Sequence, residues 1–130
     1  MERTYIAAAD KHSGFYQALR RELRNSGAEL VDSPADATAV FTIDTDITGQ
    51  RVLAVSARNV PREYEVYYIV GYSVASGETT LLDKHTQTKT IAYNWDETEV
   101  LGKAHEEQVL RSALVKDLVR LVMIQLSSLK

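Results

Sequence analysis

Residues 63–75, EYEVYYIVGYSVA, constrain the chain more than any other stretch. Every even position from Tyr64 to Val74 is aliphatic or aromatic, while the odd positions open on Glu63 and Glu65 and later hold Gly71 and Ser73. Period-two alternation of this kind makes a strand with one buried face and one face at least half open. Ser76-Gly77-Glu78 supplies a turn, and residues 79–93 run back as the antiparallel partner. The chain must therefore cover one side of a hairpin-based sheet.

Two amphipathic helices provide the cover. Ser13 is a good N-cap for a helix over residues 14–26, with Gly27 as its stop. Phe15, Leu19 and Leu23 recur on one face, and Arg20, Arg21 and Arg24 lie off it. A second helix starts at Asp96 or Thr98, with a short first segment broken near Gly102. Leu110, Leu114, Leu118, Leu121, Val122, Leu126 and Leu129 trace its apolar stripe, widened by Val115, Val119 and Met123. Glu107 and Arg111 are spaced as an i, i+4 ion pair on its wet side.

The remaining pieces are short. Residues 4–8 read as a first strand, and 29–32 as a brief extended piece closed by Ser33-Pro34-Ala35-Asp36. Residues 39–46 and 52–56 read as a hairpin with Thr48-Gly49-Gln50 as its turn. The order β-α-β-β-β-β-α predicts one α+β domain over residues 1–130. Its two helices pack on one face of a mostly antiparallel four- to five-stranded sheet, and 130 residues suffice for one modest core.

Several chemistries find no residues to carry them. There is no Cys, so disulfides, thiolate zinc sites and thiol catalysis are excluded. His12, His85 and His105 have no ligand spacing, and His105 and Glu106 point about 100° apart on a helix. Asp44 and Asp46, two apart on a strand, share a face and read as an exposed pair at its end. Neither a glycine-rich phosphate loop nor a nucleophile elbow occurs, and the expectation is a protein that is not an enzyme, with no cofactor and no metal site.

The net charge of −3 gives no global attraction to nucleic acid or to an anionic membrane. Tyr64, Tyr68 and Tyr72 alternate with Val on a buried face, which leaves them unavailable for base stacking, so no nucleic-acid partner is expected. No apolar run approaches the ~20 residues that span a bilayer. Residue 1 opens no signal-peptide pattern, as expected of a chain trimmed of its leader.

Two features remain. Residues 83–90 hold no aliphatic side chain; Lys84 and Lys89 there guard an edge strand, or the polar surface meets a hydrated partner wall or a sugar-phosphate ligand. Cations also sit beside turns: Arg58 and Arg62 flank Asn59-Val60-Pro61, and Lys103 stands at the start of the last helix. Arginine, by its planar fork, and lysine, as a point charge, suit phosphate.

The C-terminal half carries a resemblance. Glu63-Tyr64 opens the long strand, Gly77 lies in its hairpin, and Tyr93-x-Trp95-Asp96 closes the next strand. Val100-Leu101-Gly102-Lys103, Glu106-Glu107 and the Leu110 to Leu126 helix follow. In this order and spacing the chain resembles the LPS-assembly lipoprotein family LptE, over roughly residues 4–129. The resemblance implies a non-enzymatic lipoprotein on the periplasmic side of the outer membrane. Such a protein binds lipopolysaccharide, plugs the LptD barrel 1:1 and helps it assemble, and is held to the membrane by an N-terminal lipid anchor that this sequence lacks. It also implies lipopolysaccharide-contacting roles for Arg58 and Lys103, with Arg62 as a further candidate. Leu114 stands where the family often has Met, a volume-conserving change. The competing expectation is an envelope interaction domain that binds protein only.

Overall fold

A computed structural model describes residues 3–55, 57, 61–94 and 100–128, with the side chains of 61, 62, 94 and 100–106 outside the description. In chain order the elements are β1 (Arg3–Ala8), α1 (Gly14–Asn25), β2 (Glu29–Leu30), a short 3-10 helix (Pro34–Asp36), β3 (Ala39–Val55), β4 (Pro61–Ser76), β5 (Thr79–Asn94) and α2 (Val100–Ser127). The strands form one sheet in the order β2-β1-β3-β4-β5. β1 runs parallel to both neighbours, and the long β3–β4 and β4–β5 pairs are antiparallel. The expected α+β architecture is the one observed.

Periodicity explains the core. The even residues of β4 from Tyr64 to Val74 are all buried, and those from Val66 on share one core with Phe15, Leu19 and Leu23 of α1 and Leu114, Leu118, Val122 and Leu126 of α2. Each such aliphatic side chain removed from water contributes about 1.5–3 kcal/mol. Phe41 of β3 stacks on Tyr72 at 5.0 Å between ring centroids, which ties β3 into the same core. The α1 helix is capped as its sequence suggests: Ser13 Oγ accepts the Tyr16 amide at 3.0 Å, and Gly27 leaves the helix at φ +97°.

Residues 39–55 depart from the sequence reading. Thr48-Gly49-Gln50 is no turn, because β3 continues through it in unbroken register with β4 from Thr45 to Val52. Glycine serves a different need here. A Cβ on Gly49 would lie 2.6 Å from the Tyr67 hydroxyl, so the tyrosine ring lies across the bare backbone of its cross-strand partner. A bulge between Ile43 and Thr45 also shifts the register. Ahead of it the odd residues Phe41 and Ile43 face the helices, and beyond it Asp46, Thr48 and Gln50 do, opposite the inward-facing Val70, Tyr68 and Val66.

β1 accompanies β3 only as far as Ile43. Past that point β3, β4 and β5 continue as a three-stranded ribbon backed by the first half of α2.

Candidate functional site

The described strand ends converge. Val55 pairs with Pro61, and Glu63 pairs with Asn94, so the end of β3, the start of β4 and the end of β5 lie at one end of the ribbon. The connection that bears Arg58 and the segment leading to α2 both leave from this end. Arg58 itself lies outside the described residues. Arg62 stands at the second position of β4 and Lys103 at the fourth of α2, with both side chains outside the description.

Described side chains nearby hold this end together. The Tyr93 hydroxyl donates to Glu107 Oε1 at 2.7 Å and approaches Gln50 Oε1 at 3.3 Å, and the Tyr93 ring stacks on Tyr64 at 5.6 Å. These contacts clasp the first half of α2 to β3, β4 and β5. Arg111 donates through Nε to Thr48 Oγ1 at 3.0 Å. Glu107 and Arg111 thus each reach for the sheet, in place of the helix-surface ion pair that their spacing predicts.

On the opposite sheet face, Arg51 Nε lies 3.0 Å from Glu65 Oε1, and its guanidinium sits 4.7 Å from the Tyr67 ring centroid. Sequence reasoning missed this cation because Thr48-Gly49-Gln50 read as a turn. The signal that finds it is the cross-strand register, Arg51 opposite Glu65.

Between the helices a cleft of about 1430 Å³ opens, its walls including Gln17, Arg21, Val115, Val119 and Met123 and its floor Asp46, Thr48 and Tyr68. The Tyr68 hydroxyl donates to Asp46 Oδ1 at 2.6 Å and accepts the Phe15 amide at 3.3 Å. Burial, then the Asp46 carboxylate, push the phenol well above the ordinary tyrosine range. Asp44 and Asp46 do not share a face: the bulge sets Asp44 over Gly71 on the outer side while Asp46 points in to Tyr68. No paired-carboxylate chemistry arises from them.

The histidines sort differently. His85 meets the Tyr72 ring edge-on at 5.7 Å and sits 3.0 Å from Gln87 Nε2, a packing role. The His105 side chain lies outside the description. Among the described residues, no three His, Asp or Glu side chains cluster to hold a metal ion. Of the basic triplet on α1, Arg20 donates to the Tyr16 hydroxyl at 3.1 Å while Arg21 and Arg24 are exposed. Among the described residues no helix is long and apolar enough to cross a membrane.

Comparison with known proteins places this geometry. No curated protein sequence matches the chain. The solved rare lipoprotein B of Shewanella oneidensis superposes with a TM-score of 0.82 at 20% identity, over 97% of this chain and 94% of that one. Lipoprotein B of Nitrosomonas europaea gives 0.84 at 26%, over 98% and 83%. A minor lipoprotein of Acinetobacter baumannii gives 0.79 at 17%, over 98% and 91%. The first and third of these establish the shared fold alone. The family model for LptE, lipopolysaccharide assembly, matches residues 1–126. The chain therefore belongs to the LptE family, non-enzymatic lipoproteins that serve lipopolysaccharide assembly at the outer membrane.

Proposed function

We propose that this protein binds lipopolysaccharide through its phosphates at the converging end of the ribbon and occupies the lumen of the LptD barrel, on the periplasmic side of the membrane. The observation that carries the reading is topological. The end of β3, the start of β4 and the end of β5 lie at one end of the ribbon, and Arg58, Arg62 and Lys103 stand in sequence within or next to the segments that leave from it. Lipopolysaccharide is polyanionic at its head. A few cations at one pole capture such a head reversibly, because charge-assisted contacts to phosphate are strong but screened by salt. Each captured phosphate is one fewer bridge between neighbouring lipids, so a single molecule is released from its aggregate toward the barrel.

A plug in a hydrated lumen needs a polar, charge-mixed exterior. The exposed side of β5 offers one, with Asp83, Lys84, Thr86, Thr88 and Thr90 exposed. An N-terminal lipid anchor would hold the protein to the membrane.

The test is the double substitution Arg58→Ala with Lys103→Ala, read by lipopolysaccharide binding at several ionic strengths. Binding by the parent should fall steeply with salt and binding by the variant should be weak throughout, with the thermal melt unchanged. Equal binding by both proteins at moderate salt would remove Arg58 and Lys103 from the site. Salt-insensitive association with the barrel and no lipid binding would favour the protein-only reading.

A further inference from the structure

The early end of β1 leaves a notch in the sheet. β1 stops at Ala8, opposite Ile43, whereas β3 runs on to Val55. Thr48 Oγ1 donates to the Tyr67 carbonyl at 2.9 Å, which turns that carbonyl toward β3 and makes Gly49 and Tyr67 a hydrogen-bonded pair of the ladder. Alternation then sends the N–H and C=O groups of Asp46, Thr48, Gln50 and Val52 out into the notch, where no described strand meets them. Unpaired strand edges are templates for pairing, and folded proteins guard them. β5, the opposite edge, carries Lys84 and Lys89 and a register irregularity between Leu82 and His85. Between the irregularities at Asp44 and Leu53 the notch edge has neither Lys nor Pro, its Arg51 is paired with Glu65 on the outer face, and Ile47 on that face is 51% exposed.

A charge beside the notch says what should fill it. Arg111 is half-buried, bonded to Thr48 Oγ1, and has no carboxylate at ion-pair distance among the described residues. Asp46 faces the same side, but its Oδ1 is taken by the Tyr68 hydroxyl.

We propose that this notch receives an extended segment of a partner protein as an added strand. The segment is apolar where it borders Ile47 and carries a carboxylate beside Thr48, where it pairs with Arg111. Main-chain bonds would supply affinity, and alternate side chains specificity. The inference rests on the barrel-plug reading and names what the barrel partner lends: a loop in β conformation. A second copy of this chain fits the chemistry poorly, since Thr48, Gln50 and Val52 bring no charge to the inner face and the Asp46 carboxylate, bound to Tyr68 through Oδ1 and buried at Oδ2, does not project from the edge.

The test places a photo-crosslinking residue at Ile47 in the full-length chain, co-expressed with the barrel, with a control crosslinker at Thr88 on β5. Gln50→Pro removes an outward N–H and leaves the β3–β4 ladder intact; Arg111→Gln removes the charge. The expected result is a crosslink from Ile47 to one acid-bearing barrel segment, reduced about tenfold by either variant while each still melts cooperatively. Exchanging charges, Arg111→Glu against an arginine at the identified acid, should restore it. Crosslinks to a second copy or to lipid, or none at Ile47 from a complex that forms normally, would overturn the notch inference and leave the plug reading standing. Failure of the parent to associate with the barrel at all would overturn both.

Discussion

Tyr68 shows how one residue joins core, cleft and sheet. Its ring belongs to the buried face of β4, and its hydroxyl bridges Asp46 on β3 to the first turn of α1. Removing that hydroxyl strands a half-buried carboxylate and a backbone amide, so Tyr68→Phe should destabilise the fold by about 1–3 kcal/mol in a urea titration near neutral pH. The pH dependence has a definite sign. The folded phenol holds its proton more tightly than the unfolded one, so its contribution is complete below the ordinary tyrosine range and is lost as pH climbs through and above it. Tyr72 is shifted the same way by burial. In the parent, two phenols should therefore stay protonated in an alkaline absorbance titration until the protein unfolds. Tyr68→Phe should leave one. If all tyrosines ionise together in the folded parent, the buried Tyr68–Asp46 contact is wrong. Period two made the ring's burial legible in the sequence. It could not reveal the hydroxyl's partner, because the bulge at Asp44 inverts the faces of β3, and nothing in Asp44-Thr45-Asp46 announces that inversion.

At the scale of elements, two glycines separate what was readable from what was not. Gly77 makes the two-residue turn between β4 and β5 at φ +61°, a conformation that a side chain resists. Gly49 lies in mid-strand, where its lack of a Cβ admits the Tyr67 ring. Turn-like composition is identical evidence for both, and only the cross-strand partner distinguishes them. Gly77→Ala should cost roughly 1–2 kcal/mol for the strained backbone. Gly49→Ala should cost less, because the half-exposed tip of Tyr67 can swing aside. Thermal melts of the two variants decide the matter: an equal loss would contradict close approach as the role of Gly49. Gly71 is the third case. A Cβ there would meet Asp44 Oδ1 at 2.5 Å and Thr45 Cβ at 3.0 Å. Because Thr45 Cβ is fixed to the backbone of the bulge, Gly71→Ala should cost about 1–3 kcal/mol by overpacking. Helix α1 and the Leu stripe of α2 were the most legible features, since Ser13, Gly27 and the leucines are local signals, but the break expected near Gly102 is absent: α2 runs unbroken from Val100 to Ser127. The register of β3 depends on a partner distant in sequence.

At the scale of the molecule, the element order was legible because both helices and the β4–β5 hairpin announce themselves. The notch was not, because it arises from the unequal lengths of β1 and β3. The candidate lipid site was legible only as residue types beside turns; what the fold adds is that the ends of β3, β4 and β5 next to them in sequence lie together. That shared pole is the central claim, and amide chemical-shift mapping tests it directly during titration with detergent-dispersed lipopolysaccharide. Salt-sensitive shifts should concentrate at Glu63, Asn94 and Glu107 and fade toward Gly77 at the far end of the hairpin. Shifts centred instead on Arg20, Arg21 and Arg24 of α1, or insensitive to salt wherever they fall, would contradict it.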